Sequence, residues 1–278
     1  MPLTSRRRAA PSTRVIVVDG QPLRVDVRAG RGGGVPVLLI NGIGASLELL
    51  QPFVNELPAP LEVIRFDPPG VGGSPLPALP YRFGGLCRLI ARMLTALGHD
   101  RADVLGISWG GAVAQHFAAF QRHRCRRLVL VSTATGALMV PARPTVLARM
   151  LTPRRYTDPG YLRSVAPVLY GGSARTQPER VREYMHADSR VGSPQGYLYQ
   201  LAAGAGWTSL PFLPLIRQPT LIVSGDDDPL IPLANARLLH ALIPRSRLHV
   251  YSGGHLGLVT EAAELAPVVS RFLEGTDD

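Results

Sequence analysis

Short apolar runs and helical stretches alternate along most of this 278-residue chain, and this alternation constrains the fold more than any other feature. Residues 35–40 are almost continuously apolar and end at Asn41-Gly42, as in a strand buried on both faces. Strands that alternate with helices form βαβ units. We therefore predict an α/β fold with a mostly parallel sheet and helices on both faces. The predicted strands are 35–40, 61–66, 102–107, 127–131, 220–224 and 247–251, and the predicted helices are 47–57, 83–97, 109–121, 233–242 and 261–273.

Two regions depart from the alternation. Residues 14–28 alternate apolar and polar side chains around Asp19-Gly20, which predicts a β-hairpin. Residues 137–217 are rich in Pro, Gly and Arg, contain six of the eight tyrosines and show no clear strand. An insertion of this length needs helices of its own, so we predict a helical cap over the carboxyl edge of the sheet. The predicted core is then 14–136 with 218–275, and residues 1–13 form a flexible, arginine-rich N-terminus.

Composition excludes several classes of protein. Hydrophobic residues make up 46% of the chain, and no apolar run approaches the roughly 18 residues that cross a bilayer. No secretory signal is recognised, so we expect a soluble, cytoplasmic protein. The formal net charge is +10 and every basic residue is Arg, but the arginines are scattered and accompany no nucleic-acid-binding motif. We therefore expect no nucleic-acid partner, and interpret Cys87 and Cys125 as buried hydrophobic residues.

The motif Gly106-Ile107-Ser108-Trp109-Gly110 lies between a predicted strand and a predicted helix. A nucleophile elbow needs this arrangement, because the flanking glycines permit a sharp turn that exposes the serine. The helix start behind Ser108 supplies unpaired N–H groups for a developing oxyanion. The motif alone is weak, since a tight turn with a capping serine would have the same pattern.

A serine nucleophile needs a base and an acid that orients the base. Of the seven histidines, His255 alone directly follows the last predicted strand, within a glycine-rich loop. Asp226, Asp227 and Asp228 follow the preceding predicted strand, and we choose Asp228 because it lies furthest into the loop and before a proline. Asp226 is the alternative, and a solvated turn would also explain the three acids. The chain order Ser, Asp, His is that of α/β-hydrolases.

The oxyanion hole needs a second N–H donor from a loop after an earlier strand. The loop Asn41-Gly42-Ile43-Gly44 occupies that place, so the backbone N–H groups of Ile43 and Trp109 are the predicted donors. A simple Asn-Gly turn is the alternative for this loop. The sequence has no zinc-binding or nucleotide-binding motif, and we therefore predict no metal and no cofactor.

These motifs resemble those of a known family. The chain is similar to α/β-hydrolases over residues 15–272 and, more narrowly, resembles the intracellular poly(3-hydroxyalkanoate) depolymerases of bacteria that store medium-chain-length polyester. Hydrolases usually have His-Gly where this chain has Asn41-Gly42, a departure that points to the depolymerase subgroup. The resemblance is carried by NGIGA (41–45), LEVIRFDPPGVGGS (61–74), GISWGG (106–111), PRRY (153–156), GWTSL (206–210), GDDDPLIP (225–232) and GGHLGL (253–258).

The resemblance implies an α/β-hydrolase fold with a helical cap, and cleavage of esters between 3-hydroxyacyl units at the surface of cytoplasmic storage granules. The catalytic residues would be Ser108, Asp228 and His255, and the cap would hold the alkyl side chains of the polymer. A small-molecule carboxylesterase or thioesterase, a carbon–carbon bond hydrolase and a perhydrolase share this triad and stay open. A non-catalytic granule-surface protein is a further alternative. The oligomeric state stays open as well.

Overall fold

Eight strands form one sheet in the computed structural model, which describes residues 13–31, 33–186, 190 and 192–276. The order across the sheet is β1-β2-β4-β3-β5-β6-β7-β8. Strands β3 to β8 run parallel, and the β1–β2 hairpin adds two antiparallel strands at one edge. The strands are β1 (Arg14–Val18), β2 (Gln21–Arg28), β3 (Val37–Ile40), β4 (Val63–Phe66), β5 (Ala102–Ile107), β6 (Cys125–Val131), β7 (Thr220–Gly225) and β8 (Ser246–Tyr251).

Eleven α-helices lie within the described ranges. They are α1 (Gln51–Glu56), α2 (Phe83–Ala96), α3 (Trp109–Phe120), α4 (Pro144–Met150), α5 (Arg154–Thr157), α6 (Pro159–Tyr170), α7 (Pro178–His186), α8 (Pro194–Gly204), α9 (Ala234–Leu242), α10 (Gly257–Thr260) and α11 (Ala262–Glu274). Within these ranges, no helix combines the length and the apolar composition that crossing a bilayer requires. The predicted α/β fold, its mostly parallel sheet and its N-terminal hairpin are confirmed.

Successive residues of the parallel strands face opposite sides of the sheet. Val37 and Leu39 of β3 belong to the hydrophobic cluster that includes residues of α1 and α11, whereas Leu38 and Ile40 join the cluster with residues of α2, α3 and α9. Because both faces are covered by helices, all four side chains are buried. This explains the uninterrupted apolar run in the sequence.

One predicted helix is divided. Residues 47–57 were predicted to be a single helix, but Leu47–Leu50 form a 3₁₀ turn and α1 begins only at Gln51. Pro52 stands in the first turn of α1 and has no N–H to continue a helix that started earlier. The described part of the predicted N-terminal segment is residue 13 alone, so the prediction for residues 1–12 lies outside the described residues.

Helices α4 to α8 occupy the predicted insertion and contact the loops that follow the parallel strands. The Tyr156 hydroxyl donates to the carbonyl of Ile43 in the loop after β3. A Cβ added to Gly171 would lie 1.9 Å from the carbonyl oxygen of Asp227, in the loop after β7. These helices therefore pack on the carboxyl edge of the sheet, where open α/β sheets place their ligands. The division into a core of 14–136 with 218–275 and a cap of 137–217 stays a prediction.

Candidate active site

Ser108 occupies a sharp turn between β5 and α3. Its backbone angles, φ 55° and ψ −120°, lie in a region that residues other than glycine rarely adopt. A Cβ on Gly106 would lie 2.2 Å from the carbonyl oxygen of Gly110, and a Cβ on Gly110 would lie 2.2 Å from that of Ile40. The two glycines of the motif are therefore required by close backbone approach on both sides of the serine.

The neighbouring strand β6 holds this turn in place. The Ser108 N–H donates to the carbonyl of Val131 at 2.9 Å, and the hydroxyl of Thr133 donates to the carbonyl of Ser108 at 2.7 Å. Both partners lie at or just beyond the carboxyl end of β6. The strained backbone of Ser108 is thus supported from two sides, because its carbonyl also accepts from the N–H of Gly111 in α3 at 2.9 Å.

Asp228 and His255 come together from the loops after β7 and β8. The Nδ1 atom of His255 lies 2.8 Å from Oδ2 of Asp228, and both residues are buried. The other carboxylate oxygen of Asp228 accepts hydrogen bonds from the N–H groups of Leu230 and Ile231, at 3.0 and 2.8 Å. A carboxylate only accepts, so this contact assigns the proton to Nδ1 of His255 and leaves Nε2 as the basic nitrogen.

The three consecutive acids have three different partners. Asp226 accepts from the N–H of Gly253 at 3.1 Å, and Asp227 forms an ion pair with Arg175 at 2.6 Å. The Arg175 guanidinium lowers the pKa of the Asp227 carboxyl. Only Asp228 of the three contacts His255 among the described residues. Asp226, the alternative orienting acid, therefore lies in a structural turn.

Tyr170, at the end of α6, holds His255 from the insertion side. The His255 N–H donates to the carbonyl of Tyr170 at 2.7 Å, and the two rings stack with centroids 6.3 Å apart. A Cβ on Gly254 would lie 2.1 Å from the same carbonyl oxygen, so glycine is required for this approach. The position of the imidazole thus depends on α6 as well as on the sheet.

The two predicted oxyanion donors are available. Among the described residues, the backbone N–H groups of Ile43 and Trp109 have no hydrogen-bond acceptor. Trp109 begins α3, where the first N–H groups of a helix have no partner within it. Its indole ring points elsewhere: it packs against Phe83 and donates to the carbonyl of Gln200 at 3.0 Å.

The peptide between Ile43 and Gly44 is held at both ends by the insertion. The Tyr156 hydroxyl donates to the carbonyl of Ile43 at 2.7 Å, and the N–H of Gly44 donates to the side-chain oxygen of Gln200 at 2.7 Å. This peptide follows directly after the Ile43 N–H. Contacts with α5 and α8 therefore orient the loop that carries the predicted oxyanion donor.

Ser108 and His255 line one largely apolar cavity between the sheet and helices α4 to α7. Ile43, the carrier of a predicted oxyanion donor, also lines it. No sequence pattern predicted a site role for Arg155, which lies in the PRRY stretch and also lines the cavity. The remaining lining residues are Gly42, Ala45, Leu49, Ile107, Met150, Arg155, Tyr156, Tyr170, Met185, Leu230 and Leu256.

Other candidate residues serve elsewhere in the structure. Cys87 and Cys125 are buried free thiols, as predicted, and burial raises the pKa of both. His99 faces Glu62 at 3.0 Å, and His116 accepts from the indole of Trp207 at 3.3 Å. The described ranges contain no group of three His, Cys, Asp or Glu side chains arranged to hold a metal ion.

Comparison with known proteins gives close and distant matches. The family profile for the alpha/beta hydrolase fold matches residues 35–262. A poly(3-hydroxyalkanoate) depolymerase from Ectopseudomonas oleovorans is 50% identical, covering 94% of this chain and 92% of the relative. A 2-hydroxy-6-oxo-2,4-heptadienoate hydrolase from Pseudomonas putida is 29% identical, covering 88% of this chain and 91% of the relative.

Solved structures agree on the fold. An enol-lactonase from Burkholderia xenovorans superposes with a TM-score of 0.80 at 24% identity, covering 94% of this chain and all of that chain. At this identity the likeness concerns architecture only. With the family profile and the 50% identical relative, it leads to one conclusion: the chain belongs to the α/β-hydrolase family.

Proposed function

We propose that the protein is a serine-dependent depolymerase of medium-chain-length poly(3-hydroxyalkanoate). One observation carries the chemistry: Ser108 and His255 line one cavity, and His255 is hydrogen-bonded to Asp228 at 2.8 Å. The 50% identity to a poly(3-hydroxyalkanoate) depolymerase supports the substrate. The largely apolar lining of the cavity suits alkyl side chains. The proposed location is the cytoplasm, at the surface of polyester granules.

In the acylation step, the Ser108 hydroxyl oxygen attacks the ester carbonyl carbon while Nε2 of His255 takes the hydroxyl proton. The N–H groups of Ile43 and Trp109 bind the oxyanion that forms. Collapse of this intermediate breaks the ester C–O bond, and His255 returns the proton to the departing alcohol oxygen. The acyl group remains on Ser108, and Asp228 stabilises the imidazolium without taking its proton.

In the deacylation step, a water molecule attacks the acyl-enzyme carbonyl and gives a proton to Nε2 of His255. Collapse of the second intermediate breaks the bond to the Ser108 oxygen, which recovers the proton. The product is a 3-hydroxy acid or a shorter oligomer with a new carboxyl end. No cofactor is needed for either step.

The test compares Ser108→Ala with Ser132→Ala. Ser132 also follows a parallel strand and has a positive φ of 44°, but it does not line the cavity. The hydrolysis rate of each purified protein is measured on medium-chain polyester granules, on short-chain polyester granules and on p-nitrophenyl esters of several lengths. We expect Ser108→Ala to lower kcat on the order of 10⁶-fold, as removal of a serine nucleophile does elsewhere, while Ser132→Ala stays active.

Release of 3-hydroxy acids from the medium-chain polymer by the unaltered protein supports the proposal. Hydrolysis of soluble esters without any polymer cleavage assigns the site to a small-molecule esterase instead. Ester cleavage that survives in Ser108→Ala shows that this serine is not the nucleophile.

A further inference from the structure

Arg155 has the largest fully buried side chain among the described residues. It lies in α5, is 1% exposed and lines the same cavity as Ser108 and His255. Most of the other side chains around this cavity are apolar or aromatic. A permanent positive charge is therefore buried beside the proposed nucleophile and base.

Among the residues that the structure describes, only neutral groups contact this guanidinium. Nη1 donates to the carbonyl of Thr152 at 3.2 Å and to the hydroxyl of Tyr197 at 3.0 Å, and Nη2 makes a long contact of 3.4 Å with the carbonyl of Ile43. The ring of Tyr156 lies 4.6 Å below it. Within the described residues, Arg155 has no carboxylate partner, and its Nε has no acceptor.

Burying a cation costs several kcal/mol unless an anion compensates it. Carbonyl and hydroxyl dipoles and an aromatic face offset only part of this cost. A guanidinium is also a planar set of N–H donors that matches a carboxylate geometrically. The missing anion is therefore expected to arrive with the ligand that fills the cavity.

We propose that Arg155 forms a carboxylate subsite that directs the enzyme to 3-hydroxyacyl chains with a free carboxyl end. This inference rests on the proposed function. Two carbon atoms separate the terminal carboxylate from the last ester oxygen in such a chain. Arg155 contacts the carbonyl of Ile43, the residue whose N–H is the predicted oxyanion donor. A carboxylate at Arg155 thus sets the last ester bond near the oxyanion hole, and cleavage releases one terminal 3-hydroxy acid.

Arg155 also supports the loop at Ile43, and a test must separate this role from recognition of charge. Tyr156 provides the matched control, because its hydroxyl donates to the same Ile43 carbonyl at 2.7 Å but has no charge. Tyr156→Phe weakens the support of the loop and keeps the guanidinium. Arg155→Met removes the charge and keeps an unbranched side chain.

The experiment measures kcat/KM for a dimer of 3-hydroxyoctanoate with a free carboxylate and for the same dimer with a neutral carboxamide end. We expect the unaltered enzyme to prefer the carboxylate by about 10- to 100-fold, the range of a charge-assisted hydrogen bond. Arg155→Met reduces this ratio to about one. Tyr156→Phe lowers both rates together and keeps the ratio. A ratio near one in the unaltered enzyme, or a ratio that survives Arg155→Met, overturns the proposal.

A second measurement needs no variant and covers the case in which Arg155→Met does not fold. Free 3-hydroxyoctanoate and its carboxamide compete against p-nitrophenyl octanoate on the unaltered enzyme. We expect the carboxylate to inhibit at about tenfold lower concentration, whereas equal inhibition overturns the subsite. Polymer hydrolysis is followed in parallel. Cleavage of polymer and of both dimers at equal rates refutes the subsite alone, and absence of all polymer and dimer cleavage refutes the proposed function.

Discussion

The buried arginines of the sheet and the buried arginine of the insertion have opposite surroundings. Arg65, on β4, is 3% exposed and forms an ion pair with Asp26 at 2.6 Å, and Arg24, on β2, lies between Asp67 and Glu48. Arg155 is buried at least as deeply and has no carboxylate among the described residues. Within the described part of the chain, carboxylates neutralise these two buried arginines of the sheet, whereas Arg155, which lines the cavity, has none.

The largest effect is expected at Arg65. Arg65→Met leaves the carboxylate of Asp26, which is 2% exposed, without its main partner. We expect the free energy of unfolding to fall by about 3–5 kcal/mol, measured by urea denaturation, because an isolated buried charge is costly. Arg65→Met combined with Asp26→Leu is the control and should recover most of the loss. A loss below about 1 kcal/mol in the single variant would mean that this ion pair is not structural.

A smaller effect is expected from the same substitution at Arg155. Arg155→Met removes a charge whose partners are neutral, and the carbonyl of Ile43 and the hydroxyl of Tyr197 keep other hydrogen bonds. We expect the free energy of unfolding to rise by about 1–2 kcal/mol in the same urea titration, because the substitution removes a buried charge that its neutral partners compensate only in part. A loss as large as that of Arg65→Met would show that Arg155 supports the fold and would remove the contrast.

The smallest effect is expected at an arginine that is paired but exposed. Arg175 and Asp227 join the insertion to the loop after β7, and the side chain of each is nearly half exposed. We expect Arg175→Gln to lower the free energy of unfolding by at most about 1 kcal/mol at neutral pH, as for other surface ion pairs.

This exposed pair also makes a pH prediction. Arg175 lowers the pKa of Asp227 in the folded protein, so the contribution is complete above the ordinary carboxyl pKa of 3.8. It is lost as the pH falls through the lowered value. The stability difference between the unaltered protein and Arg175→Gln should therefore shrink in acid, which urea titrations at neutral and acidic pH will show. A difference that is constant with pH would exclude the ion pair as its cause.

Local patterns predicted the sheet well, because strands buried on both faces need continuous apolar runs and helices need amphipathic ones. Strand β5 has the predicted bounds, Ala102–Ile107. The predicted helix 47–57 differs from the structure because Pro52, in the first turn of α1, has no N–H to donate. The sharp turn at Ser108 could also be predicted from the sequence. Glycines at positions 106 and 110 indicate that the backbone passes too closely there for a Cβ atom.

Contacts between segments that are distant in the sequence could not be predicted from such local patterns. The sequence ranked Asp228 above Asp226 by position, but only the folded chain shows that Asp228 contacts His255. The roles of Tyr170 and Gln200 have no local signal, because each acts through a hydrogen bond to a residue 85 or 156 positions away. The catalytic roles of Ser108, Asp228 and His255 stay predictions.

Periodicity, glycine placement and chain order are local properties of the polypeptide, and they were sufficient to predict the α/β architecture and the candidate nucleophile. The electrostatics of the cavity could be described only from the folded chain. The sequence contains thirty arginines, and no local pattern singles out one of them. Arg155 differs because it is buried and has no carboxylate partner among the described residues. Burial and pairing depend on which distant segments pack together, and the cost of a buried charge exists only once water has been excluded.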